Sequence, residues 1–388
     1  MKRLKYATTF SAGLACFLIV IITASPATAT GVEEALARCA AMTDNAARLK
    51  CYDELSGREF TPKETSGILP DQQTGVLDIQ TPSKDAAGQP KALSVMERHW
   101  DMNREAKKER NTFVLWPYRP CYFLPIAYNS SPNKDADLDF DPKAKALHNE
   151  VKFQISFKFK LWRDIIRSAA IQNMITKTTG IRGVDLWVAY TQQSFWQLYN
   201  SDYSAPFRET NYEPELLLNF RFQQDIPYLM GTKLQFINVG FNHQSNGRSE
   251  PLSRSWNRIV ASVGLEKSFG PENQETFGLL LKTWVRVPEK DETDDNPDLT
   301  DYTGYGELWG TLYWKKQRFA VMLRNNLRSD NVGAVQLEWS MPLATIHQKL
   351  ARNISLYVQY FNGYGESLLD YNKSTNRISV GLMLADWL

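Results

Sequence analysis

The sequence predicts an all-β protein, a 12-stranded antiparallel transmembrane β-barrel preceded by a small N-terminal helical module and a linker. Three observations carry this prediction. Apolar and polar residues alternate over a dozen segments, aromatic residues make up 12% of the 388 residues, and the mean hydropathy is only -0.41. This hydropathy excludes a polytopic helical membrane protein, which needs several apolar runs of about 20 residues. Barrel strands alternate and so average to a polar composition.

The first 29 residues are predicted to be a signal peptide. Basic residues near the N-terminus precede an apolar stretch over residues 10–22, and small residues at Ala27 and Ala29 form the cleavage signal. A retained membrane anchor is the alternative. Such a signal directs export from the cytoplasm, and cleavage is predicted after Ala29.

Residues 30–56 are predicted to form the helical module, in which two helical patterns cover residues 32–42 and 45–55. Each pattern contains one cysteine, Cys39 or Cys51. Two short antiparallel helices would bring these thiols together, and exported proteins form disulfides. A metal-binding pair is the alternative, although no histidine is close in sequence. Cys121 is expected to remain as an odd, buried thiol.

Residues 57–110 are predicted to be a flexible linker and a periplasmic lead-in to the barrel. Pro, Gly, Ser, Thr, Asp and Gln dominate residues 57–89, a composition typical of linkers. The charged stretch over residues 96–110 predicts a helix. No catalytic motif is present in this region, so its role is left open.

Residues 111–388 are predicted to form the barrel. Residues 151–161 show the clearest alternation, with six apolar residues on one face over eleven positions, the length of a tilted strand that spans a bilayer. The twelve predicted strands cover residues 113–128, 151–161, 186–196, 215–222, 233–245, 256–269, 277–287, 306–314, 319–327, 332–341, 354–361 and 377–388. An even number of strands closes without an exposed edge. A soluble β-sandwich or lipocalin-like barrel is the alternative.

Aromatic residues near the ends of these runs predict interfacial girdles. They are Trp187, Trp196, Tyr199, Trp284, Trp309, Trp314, Tyr357 and Tyr360. The charge balance excludes another class of partner, because 45 Lys and Arg residues face 43 Asp and Glu residues without a basic stripe. No nucleic-acid partner is therefore expected.

The densest polar cluster lies at residues 243–257. His243 and Ser245 are two positions apart on one strand, so their side chains share a face. Other residues on this face of the strand are apolar. On the next strand, Asn257 likewise shares its face with apolar residues. All three are therefore expected to project outward toward lipid, beside an extracellular loop. A nucleophilic serine needs a base and a third group that orients the base; the alternative is an ordinary polar hairpin with a chance His-x-Ser spacing.

Residues 242–258 closely resemble the signature of the outer membrane phospholipase A family of Gram-negative bacteria. Further matching strings cover residues 206–214, 294–298 and 363–372, within a resemblance over most of residues 110–388. The family is a twelve-stranded barrel. The resemblance does not cover residues 30–90, and the chain's terminal Trp387 and Leu388 depart from the Phe at which such barrels typically end.

The resemblance implies roles for individual residues. Ser245 would be the nucleophile and His243 the general base. Asn257 would stand where other triads have Asp, fixing the imidazole tautomer but stabilising the imidazolium less than a carboxylate does. The backbone N–H of Gly247 is implied as the oxyanion donor.

The resemblance also implies Ca²⁺ as a cofactor, since hard cations favour oxygen ligands. The implied ligands are the Arg248 carbonyl, the Ser253 hydroxyl and Ser204 of the partner subunit. A second, weaker site maps to Glu250, which is Asp in other family members, and Asp295. An ordinary acidic loop is the alternative there.

Gln192 matches a family glutamine at the dimer interface, with a lumen-facing Gln as the alternative. The implied protein is a homodimeric, calcium-dependent phospholipase A of the outer membrane, with its N-terminal module in the periplasm. It would hydrolyse either acyl ester of glycerophospholipids in the outer leaflet (A1 and A2 activity) and lysophospholipids. A catalytically silent outer-membrane pore or structural barrel is the alternative.

Overall fold

A computed structural model describes residues 37–44, 47–48, 51–52, 83–84, 90–91, 94–102, 112–133, 146–222, 228, 231–270, 275–290, 292–347 and 353–385. The predicted signal peptide and most of the predicted linker lie outside these residues. In the described part of the chain, no helix has the length and apolar character needed to cross a membrane. The chain divides into two compact units, residues 1–77 and 78–388.

In the first unit, Cys39 and Cys51 form a disulfide with their Cα atoms 5.5 Å apart. Residues 37–40 are helical. The Asp44 carboxylate accepts a hydrogen bond from the Ala47 backbone N–H at 2.8 Å, the contact of a helix N-cap. Cys121, in the second unit, has a free thiol that is half-buried rather than buried as expected, and it donates to the Ser156 carbonyl at 3.2 Å.

The second unit is a closed antiparallel barrel of twelve strands, with one short extra strand. The strands are β1 (Cys121–Asn129), β2 (Asn149–Trp162), β3 (Ile181–Trp196), β4 (Phe207–Phe222), β5 (Lys233–Ser245), β6 (Ser255–Phe269), β7 (Glu275–Val287), β8 (Gly306–Trp314), β9 (Gln317–Asn325), β10 (Gly333–Pro342), β11 (Ser355–Gly363) and β12 (Thr375–Ala385). Each strand pairs with its neighbours in sequence, and β12 pairs with β1. Closure leaves no unpaired edge, which a bilayer requires.

Short elements accompany the barrel strands. In the described residues of the second unit, the helices are α1 (Val95–His99), α2 (Ala169–Thr179), α3 (Leu299–Thr303) and α4 (Leu343–Ile346), with a 3-10 helix at Ser201–Tyr203. The extra strand, Leu115–Pro117, pairs with β2, and Ser83–Lys84 pairs with Pro90–Lys91. Residues 197–206, 246–254, 288–305 and 364–374 all connect strands at one end of the barrel, which we call the loop end.

The predicted all-β barrel is confirmed, but two predicted elements are wrong. Residues 113–128 do not form one strand, because the chain breaks between Pro117 and Pro120, neither of which has an N–H to donate to a ladder. The helix predicted over residues 96–110 ends at His99, and Asp101 follows in the left-handed region with φ 44°. Residues 103–110 lie outside the described part.

The period-two pattern sorts side chains between lipid and lumen. On β2, Lys152, Lys158 and Lys160 are fully buried inside, whereas Ile155 is 49% exposed outside. The predicted girdle is partly wrong, since four of its aromatic residues point into the lumen. Three of them are Trp187, Trp284 and Tyr357, each at most 4% exposed, and the fourth is Trp309, which lines the cavity of the lumen. Proximity to a strand end does not fix the face, because successive side chains alternate.

The lumen is largely filled. Trp100, which follows α1, packs against Trp187 and Phe236, and the Lys158 ammonium lies 3.5 Å from the centre of its ring. The Glu266 carboxylate accepts from two backbone N–H groups at the N-terminus of α1, at 3.0 and 2.7 Å. Further ion pairs join Lys152 to Glu366, Lys160 to Asp101 and Asp185, Arg258 to Glu213, and Arg318 to Glu338. A cavity of about 360 Å³ remains.

Candidate active site

Three polar side chains meet on the outside of the β5–β6 hairpin. His243 lies directly opposite Asn257, and Ser245 lies opposite Ser255. Apolar side chains continue this face along both strands, and Phe241 at 42% and Ile259 at 50% are exposed. The hairpin therefore presents His243, Ser245 and Asn257 outward, near the loop end.

The imidazole of His243 is hydrogen-bonded to the amide of Asn257. Its Nδ1 lies 2.9 Å from Oδ1 of Asn257. An amide oxygen only accepts, so Nδ1 is the donor in this contact, and a neutral ring then has its lone pair on Nε2. Ser245 follows two residues along the same face, a rise of about 6.6 Å. This arrangement suits a serine whose proton is taken by histidine.

A residue that sequence reasoning missed stands behind Asn257. The amide nitrogen of Asn257 donates to Oε1 of Glu289 at 3.3 Å. Glu289 follows the end of β7, where Val287 is the partner of Asn257 across the ladder. The alternation of side chains along a strand could have identified this residue, because residues 285, 287 and 289 continue the outward face past the end of β7.

The loop at residues 246–254 is organised by the buried side chain of Asn246. Its Oδ1 accepts from the backbone N–H groups of Arg248 at 3.2 Å and Arg254 at 3.0 Å. Its Nδ2 donates to the Leu252 carbonyl at 2.8 Å. The side chain of Asn246 thus holds the loop together by hydrogen bonds to three of its residues. The sequence did not predict this role.

Gly247 occupies a position that suits glycine. Its φ is +66°, which L-residues with a Cβ rarely adopt. A Cβ there would approach Cε2 of Tyr212 to 3.2 Å. The guanidinium of Arg248, the next residue, donates to the Phe207 and Arg208 carbonyls at 3.3 and 2.7 Å, which joins the loop to the start of β4.

The chemistry of the predicted calcium ligands fits a hard cation. Within the described ranges, no group of three His, Cys, Asp or Glu side chains is arranged to hold a metal ion. The Arg248 carbonyl and the Ser253 hydroxyl, however, are both oxygens of the loop that Asn246 organises. Ser204 is exposed in the connection between β3 and β4. Glu250 is exposed and Asp295 half-buried. These oxygens are of the kind that Ca²⁺ prefers.

The sequence strings at residues 206–214, 294–298 and 363–372, which resemble the family, meet at the loop end. Asp370 forms an ion pair with Arg208 at 2.5 Å, and the Tyr371 hydroxyl donates to Asp298 at 2.5 Å. Burial acts to raise the pKa of the Asp370 carboxyl, but the guanidinium of Arg208 and hydrogen bonds outweigh it, so this pKa lies below its usual value. Burial and the bond to Asp298 raise the pKa of the Tyr371 hydroxyl.

Gln192 projects from the outward face of β3, on which Tyr190 is also half-buried. Its Oε1 accepts from the Tyr190 hydroxyl at 3.1 Å, and its Nε2 donates to the Ser194 hydroxyl at 3.3 Å. An outward polar group at this position is costly in lipid unless it is satisfied. The side chain does not face the lumen, as the alternative would require.

A closed twelve-stranded barrel with an outward Ser, His and Asn cluster defines a class, an integral barrel protein with a hydrolase-type site on its outer surface. Residues 96–384 match the family model for phospholipase A1. A putative phospholipase A1 of Neisseria meningitidis serogroup B is 30% identical over 95% of both chains. Phospholipase A1 of Escherichia coli (strain K12) is 37% identical over 71% of this chain and 83% of its own.

Solved structures agree. Outer membrane phospholipase A from Escherichia coli superposes with a TM-score of 0.59 at 36% identity, covering 71% of this chain and all of the other. The calcium-bound dimer of the Salmonella typhi outer membrane phospholipase gives 0.59 at 35% identity, over 72% and 96% of the two chains. The chain belongs to the phospholipase A1 family, and it is an integral outer membrane protein.

Proposed function

We propose that this protein is a calcium-dependent phospholipase A that hydrolyses acyl esters of glycerophospholipids. The observation that carries the proposal is the 2.9 Å contact between His243 and Asn257 on the same outward face as Ser245. A substrate ester in the membrane meets this face directly, without entering the lumen. Family membership and the names of the relatives support the same activity.

The proposed mechanism follows from the direction of the hydrogen bond between His243 and Asn257, which leaves Nε2 of His243 to act on Ser245. Oγ of Ser245 attacks the ester carbonyl carbon while Nε2 of His243 takes its proton. The resulting oxyanion accepts from the backbone N–H of Gly247. Collapse breaks the ester C–O bond, and His243 returns the proton to the leaving glycerol oxygen. Water, deprotonated by His243, then releases the fatty acid from Ser245.

Asn257 holds the imidazole during both steps. Its oxygen keeps the proton on Nδ1 and steadies the ring as Nε2 becomes protonated. A neutral amide stabilises the imidazolium less than a carboxylate would. Bound Ca²⁺ would supply positive charge beside the oxyanion. The Arg248 carbonyl, the Ser253 hydroxyl and Ser204 of the partner subunit are the proposed ligands, with Glu250 and Asp295 as a weaker second site.

The active form is proposed to be a homodimer. Gln192 lies on the outward face of β3, next to the β4 strand whose connection contains Ser204, and the Salmonella typhi relative was solved as a dimer with calcium. A dimer that joins these faces would complete a calcium site from two subunits. Cleavage at both acyl positions and of lysophospholipids is part of the proposal, because the open outward face does not select one ester.

The filled lumen argues against the alternative of a pore. Trp100 and the ion pairs around it cross the barrel interior. Planar-bilayer recordings of the purified protein are expected to show no sustained ohmic conductance. Steady conductance together with no ester hydrolysis would favour the pore.

The experiment that tests the proposal is covalent labelling with an alkyl fluorophosphonate, which reacts with activated serines. We expect one adduct, located on Ser245 by peptide mass spectrometry, formed faster with Ca²⁺ than with EDTA. His243→Ala should abolish labelling, because the serine is then no longer deprotonated. An adduct elsewhere, or equal labelling of Ser245→Ala, would contradict the proposal.

A further inference from the structure

Asn257 has a conformational ambiguity that an aspartate would not have. Its side chain can present either an oxygen or an NH₂ group to Nδ1 of His243. With the oxygen inward, Nδ1 carries the proton and Nε2 can accept from Ser245. With the NH₂ inward, Nδ1 must accept, Nε2 carries the proton, and the ring cannot act as a base toward Ser245.

Glu289 removes this ambiguity. An ionised carboxylate has only acceptors, so a carboxylate beside Asn257 bonds its NH₂ group and not its oxygen. Oε1 of Glu289 lies 3.3 Å from Nδ2 of Asn257. The oxygen of Asn257 is thereby directed to Nδ1 of His243, at 2.9 Å.

The fold places Glu289 there for a simple reason. Val287 is opposite Asn257 in the β6–β7 ladder, and residue 289 lies two positions farther on the same face. Diagonal neighbours across antiparallel strands are within reach of long side chains. Pro288 has no N–H to extend the ladder, so the strand ends while the outward parity continues for one more residue.

We propose that Glu289 is a positioning residue for catalysis, which orients the amide of Asn257 so that His243 is held in the tautomer that can deprotonate Ser245. The inference rests on the proposed function. The carboxylate of Glu289 thus bonds the far side of the neutral amide. Four side chains form a row in the order Glu289, Asn257, His243 and Ser245.

The first test is a set of single variants assayed for fatty-acid release from phospholipid micelles with Ca²⁺. Glu289→Ala is expected to lower kcat about tenfold with little change in KM, since Glu289 does not touch substrate. Glu292→Ala, a matched change at an exposed position of the same loop, should leave both constants unchanged. Equal kcat for Glu289→Ala and the wild type would overturn the inference.

The second test is a double-mutant cycle that a merely structural role would not satisfy. Asn257→Asp alone places two carboxylates in contact and is expected to lower kcat. Combined with Glu289→Ala it should recover activity, because an aspartate has no NH₂ group to orient. If Asn257→Asp is equally active with and without Glu289, the inference is wrong.

The third readout does not depend on turnover. The chain has 4 histidines, so selective ¹⁵N-histidine labelling gives few signals, and His243→Ala assigns the one of interest. We expect Nδ1–H in the wild type and a mixture of tautomers in Glu289→Ala. An unchanged tautomer in Glu289→Ala would overturn the inference even if kcat fell.

Ser245→Ala separates the two levels of failure. If it is inactive while Glu289→Ala equals the wild type, the proposed function survives and only the role of Glu289 is refuted. If Ser245→Ala hydrolyses as fast as the wild type, both fail, because the row then has no nucleophile to serve.

Discussion

Nδ1 of His243 and Oδ1 of Asn257 lie 2.9 Å apart across directly opposed positions of β5 and β6. The contact forms on the outer face of the barrel, so two adjacent strands set its geometry and no loop is needed to hold it. A site built on strands is held more rigidly than one built on loops. The same hairpin carries Ser245 on this outward face, two positions from His243.

Asn257→Ala should reduce kcat on the order of 100-fold, because the imidazole loses the acceptor that fixes its tautomer. KM should change little. Steady-state kinetics in mixed micelles measure both constants. Asn376→Ala, the same change at an exposed position of β12, serves as the control. A kcat within twofold of the wild type would mean that His243 does not depend on this amide.

Asn246→Ala should weaken calcium activation. The substitution leaves the N–H groups of Arg248 and Arg254 without their acceptor, at a cost of about 1–3 kcal/mol in the free energy of unfolding. The loop with the proposed Arg248 and Ser253 ligands then loses its shape, and we expect half-activation to need at least about tenfold more Ca²⁺. Titration of activity with buffered Ca²⁺ measures this shift.

The control for that titration is Asn372→Ala, in the exposed part of the connection at residues 364–374. It should titrate as the wild type does. An unchanged calcium midpoint in Asn246→Ala would mean that calcium activation does not depend on the shape of this loop.

Gln192→Leu should weaken dimerisation. Hydrogen bonds between polar side chains in membranes contribute about 0.6–2 kcal/mol, which corresponds to a dimer Kd raised about three- to thirtyfold. Sedimentation equilibrium in detergent with Ca²⁺ measures this Kd. Asn362→Leu, on the outward face of β11, should leave it unchanged. If both variants dimerise like the wild type, the interface lies elsewhere.

Asp370 should make stability sensitive to acid. Its carboxyl pKa is lower in the folded protein than in the unfolded chain, so its contribution is complete above the unfolded value of about 3.9 and is lost as pH falls through the folded value. The difference in unfolding free energy between the wild type and Asp370→Asn should be largest near neutral pH and shrink below about pH 4. Urea unfolding at several pH values measures it, with Asp202→Asn at an exposed position as the control. A difference that grew on acidification would contradict the assignment.

Much of this fold could be predicted because alternation in sequence maps directly onto the two faces of a strand. The outward position of His243, Ser245 and Asn257 followed from parity alone. For the aromatic residues, proximity to a strand end predicted an interfacial girdle, although Trp187 and Trp284 both point inward. The parity rule, extended past the end of β7, would have identified Glu289.

Contacts between distant segments could not be predicted. Nothing local shows that Asn246 bonds three parts of its own loop, or that Arg208 meets Asp370, 162 residues away. The helix α2 was missed because its capping residues, Ser168 and Gly180, flank a sequence with no strong apolar face. Trp100 ends α1 early because it packs inside the barrel, a tertiary effect that helix propensity does not contain.

The central claim is that an outward-facing serine of this barrel hydrolyses phospholipid esters. The most direct test is fatty-acid release from phospholipid–detergent micelles by refolded wild type and Ser245→Ala, each with Ca²⁺ and with EDTA. We predict release by the wild type with Ca²⁺, little with EDTA, and none above background by the folded variant. Equal release by the two proteins, or none from a folded wild-type dimer with Ca²⁺, would contradict it.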